Sequence, residues 1–205
     1  MQMKNTEDSW GAIQKAIHWF VALAVISQLT IGFIFTNLPE KDPLVGKLFN
    51  IHTTIGVIIL LSMLARFLWR QANPVPALPD TLSSGQKKLA IANHWAFYAI
   101  LIGMPLSGYL TVNASGYPVH FFGIALPILI QKNEGLGEIF ESLHVGGAFV
   151  LIALVVLHVA AALRHEFLLK DNTLRRMTTL PMREGTDASR SSGAGKPVVG
   201  APPRH

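Results

Sequence analysis

The sequence predicts an all-α integral membrane four-helix bundle, and three observations predict it. Half of the 205 residues are apolar and only 14% are charged, with a mean hydropathy of +0.39, which is too greasy for an ordinary soluble domain. Four apolar runs are each long enough to cross about 30 Å of hydrocarbon at about 1.5 Å per residue. The basic residues cluster on one side of the pattern those runs create.

The runs are 16–35, 51–69, 89–112 and 139–163, each dominated by Ile, Leu, Val, Ala and Phe. Charged or turn-forming residues bound them, as in Asn37-Leu38-Pro39-Glu40-Lys41-Asp42-Pro43. The first run has no small-residue cleavage site before the next polar segment, so it reads as a retained span, not a signal. A shorter apolar stretch, 119–130, is bracketed by Pro118, Gly123 and Pro127. It is too short to span and is expected to lie in the interface over the helix ends. The four runs form one domain, 1–177. From Thr178 the chain turns to Ser, Gly, Pro and Arg, the composition of a disordered tail, 178–205.

Four crossings return both termini to one face. That face collects all but three of the 17 Lys and Arg residues, the exceptions being Lys41, Lys47 and Lys132. Positive charge stays in the cytoplasm, so both termini are expected there and the loops after the first and third runs outside. The basic residues flank apolar runs or sit in the tail without interleaved aromatics, which argues against a nucleic-acid surface and for membrane lipid as the surroundings. The absence of cysteine excludes disulfides, cysteine-ligated clusters, zinc ribbons and the C-x-x-C-H attachment of a c-type haem. A redox cofactor must use other ligands.

Five histidines fall within the runs: His18, His52, His94, His144 and His158. An ionisable group inside a bilayer costs a few kcal/mol, so five ask for a reason. His144 and His158 stand fourteen positions apart, which returns to nearly the same helix face about 21 Å along the axis. One helix thus offers two ligands at two depths. Alternating helix direction places His18 at the depth of His158, on the cytoplasmic side, and His52 at the depth of His144, on the outer side. Facing neutral imidazoles from two helices are the ligation of a six-coordinate b-type haem, so two pairs predict two haem b groups stacked across the membrane.

Small residues about one turn from each ligand leave room for a porphyrin: Ala22 after His18, Gly56 after His52, Gly147 and Ala148 after His144, Ala161 and Ala162 after His158. His94 is followed by Phe97 and Tyr98 instead. That crowding marks it as a packing, propionate-side or quinone-side histidine, although its depth also suits the inner haem, where it competes with His18. A zinc or di-metal site would draw carboxylates to one depth, and apart from Glu141 at the outer end of the fourth run the acidic residues here lie outside the runs. Arg66 and Arg70, at the inner end of the second run, suit haem propionates or a quinone head group, and equally suit a role in fixing orientation.

From Trp10 to Met177 the chain resembles the bacterial cytochrome b561 family. The residues that carry the likeness are Ile17-His18-Trp19, Ile51-His52, His94, Leu143-His144, Leu157-His158, Arg164-His165-Glu166-Phe167 and the ending Lys170-Asp171-Asn172-Thr173-Leu174. Within the family it is similar to the di-haem branch that passes electrons from superoxide to ubiquinone in the bacterial inner membrane. The resemblance implies haem ligation by the same four histidines, His18, His52, His144 and His158, and a ubiquinone site on the cytoplasmic side involving His165. It also implies a quinone-site lysine in the loop between the second and third helices. That loop begins Gln71-Ala72-Asn73-Pro74 without one, and the nearest are Lys87 and Lys88.

The activity implied is oxidation of superoxide to dioxygen outside and reduction of ubiquinone. Against it, the expected outer loops carry Glu40, Asp42, Glu134, Glu138 and Glu141 beside Lys41, Lys47 and Lys132, which is not a composition that funnels an anion. The rival class is an electron-carrying cytochrome subunit that joins an unidentified partner redox protein, a dehydrogenase or hydrogenase, to the quinone pool.

Overall fold

The computed structural model of the protein describes residues 2–7, 9–79 and 82–182. Four helices dominate it: α1 (Ala12–Thr36), α2 (Pro43–Ala72), α3 (Ser84–Ala114) and α4 (Glu134–Arg164). All four are long and apolar enough to cross a membrane. Between α3 and α4 lies a two-stranded antiparallel hairpin, β1 (His120–Phe121) and β2 (Ile124–Ala125). A π-helical turn, His165–Leu169, and a 3-10 turn, Arg175–Met177, follow α4. The chain divides into two compact units, Met1–Ala160 and Ala161–His205.

Each helix is longer than its apolar run because caps, not hydropathy, set the ends. Asp42 caps α2 by accepting from the Leu44 amide at 2.8 Å, and Pro43 occupies a first-turn position where its missing N–H costs nothing. Ser83 and Gln86 form a reciprocal capping box that starts α3 ahead of its apolar stretch. These turns add polar residues that a hydropathy window leaves out.

The stretch expected to lie over the helix ends is not helical. Phe122 and Gly123 adopt positive φ, 50° and 82°, and turn the hairpin. It is pinned to the end of α3: the Tyr109 hydroxyl donates to the Pro127 carbonyl at 2.6 Å, and the fully buried Asn113 accepts from the Leu129 amide at 2.8 Å. β1 rests against α2. Exposed Phe122, Ile124, Ile128 and Leu129 leave this cap an apolar surface, as an interfacial element requires.

Within the first unit, Val21 and Val25 of α1, Ile59 and Met63 of α2, Tyr98, Leu101 and Met104 of α3 and Leu151 of α4 form the buried core. Large apolar side chains such as Phe33, Leu68, Phe149 and Leu157 stay exposed around the outside, at 64 to 72%. That inversion suits hydrocarbon surroundings. Close backbone approach joins α1 to α2 and α2 to α3. α4 meets α3 at Gly137, where a Cβ would stand 3.5 Å from the Ala114 Cβ, and at Gly147, where one would stand 3.4 Å from the Ile100 side chain.

The second unit is held by its own polar contacts. Arg175 binds Glu166 at 2.8 Å and donates to the Pro181 carbonyl at 2.7 Å. The expected tail lies outside the described residues beyond residue 182.

Candidate functional site

Each helix presents one inward stripe, and the same interval recurs on all four. Fourteen positions separate His18 from Gly32, His52 from Arg66, His94 from Gly108 and His144 from His158. The interval is nearly four whole turns, about 21 Å of rise, so each pair shares a face at two depths. The four helices therefore build two layers. His18, Arg66, His94 and His158 make the layer on the side of the N-terminus, and Gly32, His52, Gly108 and His144 the layer on the side of the hairpin. Leu151, halfway between the histidines of α4, joins Val25, Ile59 and Leu101 in a buried apolar floor between them.

In the hairpin-side layer the rings of His52 and His144 stand 6.0 Å apart, centroid to centroid. Two imidazoles sharing one metal at about 2 Å from each nitrogen have centroids about 6 Å apart, so the pair fits a six-coordinate iron between them. Each ring is seated on a glycine of a neighbouring helix. A Cβ at Gly108 would stand 2.8 Å from Cε1 and Nδ1 of His144, and one at Gly32 would stand 3.2 Å from Cε1 of His52. The His144 Nδ1 lies 2.9 Å from the Met104 carbonyl. A carbonyl only accepts, so Nδ1 carries the proton and Nε2 keeps its lone pair for a metal. Gln28 donates to the His52 backbone carbonyl at 2.9 Å, which ties α1 to α2 at ligand level. The cavity here holds about 240 Å³ and is lined chiefly by apolar side chains, with Phe49, Tyr109 and Glu141 among its walls. The Nδ1 of His52 is buried and finds no hydrogen-bond partner among the described residues.

The N-side layer is built differently. His158 has two histidine neighbours, His18 at 6.1 Å and His94 at 6.4 Å between centroids. Both His18 and His94 therefore stand at the spacing of an iron shared with His158. The expected crowding beside His94 is present, with Phe97 edge-on to His158 at 5.3 Å. An Arg66 guanidinium nitrogen lies 3.4 Å from the His18 Nδ1. Arg70 stacks over Trp95 and Tyr98 at 5.5 and 5.8 Å, a cation–π seat that holds a second positive charge at this end. Among the described residues no set of three or more His, Cys, Asp or Glu converges as a bare-metal site, and a haem asks the chain for only two axial ligands.

Of the remaining expected residues, Lys87 and Lys88 fall in the first turns of α3, about two turns before His94. His165 opens the π-turn of the second unit, with its Nδ1 2.6 Å from Asp171 and 3.4 Å from the Thr173 hydroxyl. Asp171 in turn accepts from the Thr173 amide at 2.9 Å. Burial opposes ionisation of Asp171, but hydrogen bonds from the Thr173 hydroxyl and amide and from His165 outweigh it and hold the carboxyl below the usual carboxylate range. Sequence reasoning passed over Gly32, Gly108 and Gln28, and it quoted Asp171 and Thr173 within the Lys170–Leu174 ending without giving either a role. The glycines were detectable, since they repeat the fourteen-residue interval from His18 and His94.

Comparison with known proteins places the chain in a family. Residues 9–180 match the family model for prokaryotic cytochrome b561. The chain is 32% identical over 178 residues to cytochrome b561 homolog 2 of Escherichia coli (strain K12), covering 86% of this chain and 95% of the relative. It is 31% identical over 176 residues to the probable superoxide oxidase CybB of Yersinia pestis, covering 86% and 98%. Cytochrome b561 homolog 1 of Escherichia coli (strain K12) is 24% identical over 168 residues, or 82% and 94%. The chain belongs to the prokaryotic cytochrome b561 family, as a membrane electron-transfer protein that binds haem b.

Proposed function

We propose that this chain is a di-haem cytochrome of the bacterial inner membrane that oxidises superoxide at the hairpin side and reduces ubiquinone at the side of its termini. His52 and His144 would hold one haem b and His18 and His158 the other. The observation that carries the reading is the pair of ring separations, 6.0 and 6.1 Å, on one helix at two depths. Haem b, when bound, supplies reversible one-electron exchange. The chain supplies two axial nitrogens per site, an apolar floor between the sites and a protonated Nδ1 on His144 that keeps its Nε2 available. Arg66 and Arg70 place positive charge where haem propionates or a quinone head group would be met, and His165 is the residue proposed to meet the quinone. Lys87 and Lys88 are proposed as weaker contacts at the same side. Both termini face the cytoplasm, in keeping with the distribution of Lys and Arg.

The reaction balances as two superoxide anions plus one quinone and two protons giving two dioxygen molecules and one quinol. The superoxide part is supported by the likeness to the probable superoxide oxidase of Yersinia pestis. A second reading is favoured by one feature. Glu141 lines the hairpin-side cavity, and a carboxylate there repels a small anion while suiting a docked, basic redox partner. The test is to purify the haem-loaded protein in detergent and supply superoxide with a short-chain ubiquinone. Haem reduction by superoxide followed by quinone-dependent reoxidation is expected. Reoxidation by quinone without reduction by superoxide would assign the chain to the partner-fed class.

A further inference from the structure

The second unit contains a side-chain cluster that electron transfer alone does not need. α4 ends in a π-turn, His165–Leu169, a widened turn that recurs at functional sites. Lys170 follows in the left-handed region, φ 52° and ψ 29°, which is uncommon for a residue with a side chain. This reversal returns Asp171 to His165. The two side chains are 8% and 13% exposed, and their 2.6 Å contact has the length of a charge-assisted hydrogen bond.

We propose that Asp171, steadied by Thr173, is the positioning residue that fixes the orientation of the His165 ring and balances its imidazolium form, from which Nε2 delivers a proton to a quinone carbonyl oxygen. The proposal rests on the quinone reading of His165 and adds the group that makes that histidine competent. A carboxylate can only accept, so the Nδ1 of His165 is the donor in this contact. The dyad thereby leaves Nε2 as the ring atom that faces a ligand. The Thr173 amide occupies Oδ1 of Asp171 at 2.9 Å, so Oδ2 is the oxygen committed to the ring. As the quinone accepts two electrons from the cytochrome, its oxygens take up two protons. His165 gives one of them from Nε2, and water returns it to the ring. Asp171 stays ionised throughout, balancing the imidazolium from which the proton leaves.

The neighbouring ion pair Glu166–Arg175, at 2.8 Å, provides the structural control because Arg175 braces the same unit through Glu166 and the Pro181 carbonyl. The full-length, haem-loaded protein is reduced chemically, freed of excess reductant and mixed anaerobically with ubiquinone-1, and haem reoxidation is followed over a range of quinone concentrations. Asp171→Asn keeps the acceptor for the Thr173 amide but removes the carboxylate from Nδ1. It is expected to lower the saturating rate about tenfold to 100-fold while the half-saturating quinone concentration moves by less than about twofold. Arg175→Gln is expected to change neither, and Asp171→Glu to recover part of the rate. A wild-type rate in Asp171→Asn overturns the proposal, as does a change confined to half-saturation or an equal loss in Arg175→Gln. His165→Gln separates the two levels. A slowed His165→Gln beside an unaffected Asp171→Asn removes only the role of Asp171, whereas an unaffected His165→Gln removes the quinone reading beneath it.

Discussion

The two layers draw on the same four helices at the same interval, yet they are furnished differently. On the hairpin side two histidines alternate with two glycines, each ring lying against a neighbouring helix's bare backbone. On the N-terminal side three histidines meet an arginine, with Trp95, Tyr98 and a second arginine behind them. The first is a fitted apolar slot whose ligand tautomer is set by a backbone carbonyl. The second is a cationic site with a spare imidazole. Positive charge beside a haem favours its reduced form, so on the di-haem reading proposed above the difference would set a slope for electrons from the hairpin side toward the N-terminal side. The same charge suits an acceptor that takes up negative charge and protons.

Removing a ligand should break the comparison most completely. His144→Ala is expected to lower haem content from two per chain to one, leaving the N-side site loaded, and His158→Ala should do the reverse; haem quantitation on purified variants checks both. His18→Ala against His94→Ala sharpens the N-side layer. The first should lose that haem and the second retain it, and an inverted result would hand the ligand role to His94.

Filling a glycine seat comes next in size. Gly108→Val puts branched carbon where even a Cβ stands 2.8 Å from the His144 ring, and should empty much of the hairpin-side site while sparing the other. Gly32→Val, with 3.2 Å to the His52 ring, should do the same more weakly. Arg66→Gln should move only the N-side midpoint potential, downward by about 60 mV, which is a tenfold change for one electron; redox titration resolves the two sites.

The smallest expected effect concerns Asp171. A carboxyl whose folded pKa is depressed lends stability that is fully present above its unfolded value and is lost as pH falls through the folded value. Amide exchange protection over 165–173 should therefore persist through mildly acidic pH and fail only below the usual carboxylate range. Loss of protection at higher pH would show that the Asp171 contacts do not hold the turn.

Much of this was legible in the sequence because it depends on period. The apolar runs located the helices, and the His144–His158 interval revealed two depths. The glycines of the hairpin-side layer share that interval but were passed over, since a glycine beside a porphyrin slot looks like any other small membrane residue until the facing ring is known. The helices α2 and α3 begin ahead of their apolar runs, at Pro43 and Ser84, because capping is local chemistry outside the apolar window. The His165–Asp171 contact was not legible, because it needs a π-turn and a left-handed lysine that no periodicity announces. The choice between His18 and His94 stayed open for a related reason: both lie at one depth, and both rings, at 6.1 and 6.4 Å from His158, stand at the spacing of a shared iron.

The most direct test of the account is the haem-to-protein ratio of the purified chain, measured by haem extraction against amino-acid analysis, together with the spin state of the oxidised iron. Two b haems per chain, both six-coordinate and low-spin, are predicted. One haem per chain, or two with either in a five-coordinate, high-spin state, would contradict the claim that four paired histidines hold two irons.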